Sequence, residues 1–158
     1  MDMQFFEWLQ NTALATTVSE DWFPWVESAH VLFMAIVAGT ILIVDTRLLG
    51  LTSPNLRFSY LAERMLPWTW GAFIGSVITG FLMFAAGATH YVQNTPFLVK
   101  MALLVLAGIN MMYFQFVTFR TVGRWDAGRP PTSARMSGLF SVLLWTGVIG
   151  FARWTGFV

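Results

Sequence analysis

Four apolar stretches of about 23 to 25 residues each dictate this chain's environment, because ~20 such residues cross a bilayer core as a helix. They run from about 26–49, 65–89, 96–119 and 136–158. Of the 158 residues, 56% are hydrophobic and only 11% charged, against roughly a quarter charged in soluble domains. The mean hydropathy is +0.63. The expected fold class is therefore all-α: a four-transmembrane-helix bundle forming a single integral membrane domain over residues 1–158, with the lipid bilayer as its main partner.

Ahead of the first span, Phe5, Phe6, Trp8, Leu9 and Leu14 recur at helical spacing among polar residues. That segment, about 3–14, is too short and polar to span and predicts an amphipathic helix lying at the interface. Ser19, Glu20 and Asp21 break the pattern, and Trp22, Phe23, Pro24 and Trp25 form an aromatic girdle of the kind found at headgroup level. Asp2 and Glu7 stand where a cleavable signal would carry positive charge, so the first span is expected to insert uncleaved.

Arginines set the orientation. The loop after span one holds Arg47, Arg57 and Arg64, and the loop after span three holds Arg120, Arg124, Arg129 and Arg135. Up to Glu27 there are five acids and no basic residue. By the positive-inside rule the arginine loops are cytoplasmic and both termini face outward. A net charge of +1 gives no footing for nucleic acid. With no cysteine, disulfides, thiolate metal sites and thiol nucleophiles are excluded. No phosphate loop, Ser-His-Asp order or zinc spacing occurs.

Function is sought in the ionisable residues inside the spans, since intramembrane charge is costly and marks a site by default. His30 lies five residues beyond Trp25, Lys100 four beyond Pro96, and Arg153 five before Val158. Counting at 1.5 Å per residue puts all three roughly 6 to 8 Å below the outer boundary. Glu27 is one turn above His30, and His90 closes span two. Haem suits a thiol-free histidine in a helix bundle lined by aromatic side chains. On that reading His30 ligates the iron of haem b, Lys100 or His90 supplies a sixth ligand or the iron stays five-coordinate, Arg153 neutralises the propionates, and Trp25 or Tyr91 donates at the rim. Its expected role is electron transfer with a quinone or a periplasmic carrier. Two alternatives remain open. Met34, one turn from His30, and Met101, beside Lys100, offer thioethers for copper handling or transport. The polar layer would otherwise serve only to lock helices together in a structural or assembly subunit. Gly71, Gly75, Ser76 and Gly80 on span two, with Asn110 and Gln115 wanting partners, point to a homo-oligomer.

The stretches HVLFMAIVAGTILIVDTRLLG (30–50) and GFLMFAAGATHYVQNTPFLVKMALLVLAGIN (80–110) resemble a family of small bacterial four-helix membrane proteins. In that family a span-one His, an Asp-x-Arg-Leu-Leu-Gly exit and a span-three Lys recur. More distantly, the His, the exit Arg and the Lys resemble HemJ-type protoporphyrinogen oxidases and CopD-type copper proteins. The resemblance implies a place in the bacterial inner membrane, His30 and Lys100 as a haem-associated pair, and Arg47 as the exit arginine. Asp45 stands where the HemJ pattern tends towards proline, which argues against porphyrinogen oxidation.

Overall fold

The computed structural model describes residues 3–52 and 56–157. Among these residues the chain is helical without strands: α1 Met3–Gln10, α2 Ala13–Thr17, a π turn Val18–Trp22, α3 Phe23–Leu48, α4 Phe58–Ala86, α5 Ala88–Tyr91, α6 Thr95–Tyr113 and α7 Thr132–Thr155. A π turn (Phe114–Thr118) and a 3-10 turn (Phe119–Arg124) extend α6. Four helical segments are long and apolar enough to cross a membrane: Ala13–Leu48, Phe58–Ala86, Thr95–Arg124 and Thr132–Thr155. Val158, the expected end of the last span, lies outside the described residues.

Boundaries moved where local chemistry outweighed hydropathy. Ser19, Glu20 and Asp21, expected to break the helical pattern, sit inside a helical π turn that keeps the backbone bonded. The second helix starts seven residues earlier than its apolar pattern, because its first turn is capped from across the fold. Asp126 accepts the Phe58 N–H on its carbonyl (2.9 Å), the Ser59 N–H on Oδ1 (2.7 Å) and the Ser59 hydroxyl on Oδ2 (2.8 Å). Those bonds hold the Asp126 carboxyl below the usual carboxylate range, backbone donation first, with Arg57 and Arg47 adding to it. α3 ends where Gly50 takes φ +76°, the left-handed region a glycine adopts freely. There Gly50 N–H bonds Arg47 O (3.1 Å) and Leu51 N–H bonds Thr46 O (2.9 Å), the paired bonds of a Schellman stop. The Asp-x-Arg-Leu-Leu-Gly exit is thus a helix terminator. At the other end, Asn94 caps α6 by accepting from Phe97 N–H (2.9 Å).

α3 packs along α4, α6 packs along α7, and α3 and α7 join the two pairs. Glycines set the closeness. A Cβ on Gly75 would come within 2.7 Å of the Phe33 ring, and one on Gly138 within 3.1 Å of Leu48 Cβ. The span-two small residues expected to face another copy therefore serve α3 in part, with Gly71 open. Asn110, likewise expected to seek an external partner, donates to Ser137 O (3.0 Å) and accepts from the Ser137 hydroxyl (3.1 Å). α4 and α6 hardly meet along their backbones and are bridged by rings instead. Phe84 stacks on Phe97 (5.7 Å) at one end, and Phe58 meets Phe114 (5.7 Å) and Trp125 (5.2 Å) at the other. The outward faces stay apolar: Ile78 on α4 and Ile109 on α6 are each 57% exposed, a surface that lipid tails solvate and water does not. α1 is held by Gln10, whose Oε1 accepts from Thr89 N–H (3.2 Å) and hydroxyl (2.7 Å), while Phe5 and Trp8 remain exposed.

Candidate functional site

His30 projects from α3 onto α4, where Gly80 leaves room: a Cβ there would lie 3.1 Å from His30 Cε1. His30 Nδ1 is 3.0 Å from Thr79 Oγ1. The Thr79 hydroxyl has one proton and directs it to the Gly75 carbonyl (2.8 Å), so its oxygen is left as the acceptor for His30. The Ser76 carbonyl also lies against the ring. With the imidazole neutral and Nδ1 donating to Thr79 Oγ1, Nε2 keeps its lone pair.

Lys100, half-buried on α6, is close enough for its charge to act on His30, and its Nζ stands 4.6 Å from the Phe97 ring centroid. Phe97 in turn closes on Phe84 and Tyr91 (5.1 Å to Tyr91), so rings from α4, α5 and α6 roof this end. Burial, then the charge of Glu27, pushes the Tyr91 phenol up.

Of the residues expected to share this layer, the structure brings together His30 and Lys100 and sets the others at its margin. Arg153 is exposed and lies over the Phe157 ring (5.0 Å): near a helix end its long side chain reaches the boundary more cheaply than the interior. His90 is exposed and meets Tyr91 edge-on (5.6 Å). Glu27 is exposed, and Trp25 is 72% exposed, as a girdle residue should be. Met34 is half-buried and Met101 mostly exposed. Among the described residues no three His, Asp or Glu side chains gather to hold a metal ion.

Two polar groups expected only at the exit of span one are buried. Asp45, expected only to mark the span's exit, is 5% exposed; Ser141 meets its carboxyl, and Oδ2 has no hydrogen-bond partner. Arg47, 2% exposed, forks onto Leu56 O through Nε (3.1 Å) and Nη2 (3.0 Å) and reaches Gly128 O (3.4 Å). The one available signal was their place within the Asp-x-Arg-Leu-Leu-Gly stretch, which hydropathy reads as a boundary.

A family model described as a family of unknown function (DUF6644) matches residues 5–158. No curated protein and no solved structure matches the chain. The expected likeness to HemJ-type and CopD-type proteins is not among these findings.

Proposed function

The chain belongs to DUF6644, a family of unknown function, and from that footing we propose that it is a haem b-binding membrane protein that passes electrons near the His30 end of the bundle. One observation carries the reading: His30 Nδ1 is held 3.0 Å from Thr79 Oγ1, and with the Nδ1–H tautomer in that contact Nε2 is the nitrogen left to ligate. An imidazole whose Nδ1–H is held by a neighbour while Nε2 is free is an imidazole prepared to ligate. It stands without a cluster of further ligands, which suits a metal that brings four equatorial nitrogens of its own. Haem would supply one-electron chemistry there. Thr79 orients the ring, Lys100 sets the local potential or offers its amine, and the Phe84, Tyr91 and Phe97 rings keep water out. The arginine-poor end is the periplasmic one under the positive-inside rule, which makes a quinone or a periplasmic carrier the natural exchange partner.

Optical spectra of the protein extracted from membranes, oxidised and reduced, test this directly. A Soret band that His30→Ala bleaches and Thr79→Val shifts is expected; a colourless, iron-free protein from haem-replete cells overturns it. A purely structural role for His30 is the competing reading, and one observation favours it: Thr69 donates to Thr40 Oγ1 (2.8 Å) across the same α3 and α4 pair with no ligand to serve. It predicts no spectrum and a stability loss alone. Copper bound at His30 and Met34 would appear in metal analysis of the same preparation.

A further inference from the structure

At the opposite end of the bundle, we infer that Arg47, Arg129 and Arg135 form a binding site for a phosphate group. The inference stands apart from the haem reading and uses none of its residues. A recess of about 240 Å³ opens there, lined by Arg47, Gly50, Gly128, Arg129, Pro130 and Arg135 among others, with no acid in its wall. It lies between the ends of α3 and α7.

The central observation is Arg47. A guanidinium 2% exposed needs its charge balanced, since a buried cation without a counterion is expensive. Its hydrogen bonds go to the carbonyls of Leu56 and Gly128, which carry partial charges only. Among the described residues no carboxylate lies within ion-pair distance of it. Asp45, two residues earlier, turns its carboxyl to Ser141, and Asp126, whose charge couples to Arg47 from beyond ion-pair distance, bonds Ser59 through both oxygens. Two further guanidiniums, both exposed, add to the positive field, and so does the start of α7, whose first N–H groups follow Pro130 and Pro131. Guanidinium forks match phosphate oxygens in geometry and charge. The site sits at the end of the membrane spans, where lipid headgroups and soluble phosphates both reach.

Full-length protein in dodecyl maltoside micelles, a detergent that carries no phosphate, is the test, with thermal unfolding and native mass spectrometry as readouts. Phosphatidylglycerol is added in one arm, inorganic phosphate in a second, and potassium chloride at matched ionic strength in a third. The unfolding midpoint should rise with a phosphate-bearing ligand and not with chloride. A rise with phosphatidylglycerol alone identifies a headgroup; a rise with inorganic phosphate identifies a free anion. The double variant R129Q/R135Q alters exposed residues, which keeps the fold intact, and should weaken binding roughly tenfold or more. R57Q, outside the recess, should leave binding as it is. Absence of a shift in both phosphate arms, or equal binding by the double variant, overturns the inference.

Discussion

The two ends of this bundle solve the same problem, polar groups at the edge of hydrocarbon, by different means. At the histidine end the contacts between helices are neutral: His30 to Thr79, Asn94 Nδ2 to Thr155 O (3.3 Å), and three stacked rings. At the arginine end ionic side chains tie down backbone, with Arg47 holding Leu56 and Gly128 and Asp126 holding Ser59. Neutral pairs leave a lone pair available inside the membrane. Charged clamps order the loops and leave positive charge over. The histidine end thus offers neutral donors and acceptors, and the arginine end an excess of positive charge.

Substitutions can break this contrast. The largest effect is expected from Arg47→Ala, which orphans two carbonyls and removes charge-assisted bonds, and should cost about 3 kcal/mol or more in detergent unfolding. A loss under ~1 kcal/mol would mean the clamp is not structural. Next comes Gly75→Ala, which drives a methyl into the Phe33 ring and should cost about 1 to 3 kcal/mol. Gly71→Ala, with open space around it, should be neutral or stabilising by up to ~1 kcal/mol, so the pair separates overpacking from helix propensity. Asp126→Ala should cost about 1 kcal/mol as a lost cap. The cap is also pH-dependent. The Asp126 carboxyl is held below its unfolded value of ~3.9, so its contribution is full at neutral pH and fades as pH falls below about 4 through the lower folded value. Wild type and Asp126→Ala should therefore converge in stability once the pH has fallen through the lowered folded-state value. The smallest effect belongs to Asn110→Leu, about 0.6 kcal/mol, the usual worth of a hydrogen bond between membrane helices.

The four spans were legible because length and apolarity alone decide whether a helix crosses a bilayer. Proximity of His30 and Lys100 followed from depth, which residue counting gives. Direction did not. Arg153 lies at the expected level in the chain yet reaches for the boundary over Phe157, a choice made by side-chain length. Asp45 was misjudged for the opposite reason: hydropathy assigns any carboxylate to an edge, whereas Gly138 admits α7 closely enough to bury this one beside Ser141. The early start of α4 depends on Asp126, 67 residues on from Ser59, and no local pattern carries a cap of that span. Asn110 found its partner on the next helix, a pairing fixed by packing register that the polar residue alone does not reveal.

That distant cap has a consequence for biosynthesis. When the ribosome has delivered the first two spans to the translocon, the residue that completes the start of α4 has not yet been made. The first turn around Phe58 and Ser59 stays frayed until the third span is inserted and Asp126 emerges behind it. A nascent chain truncated before residue 126 would thus hold a threaded but unfinished second helix, open to a protease on that side of the membrane.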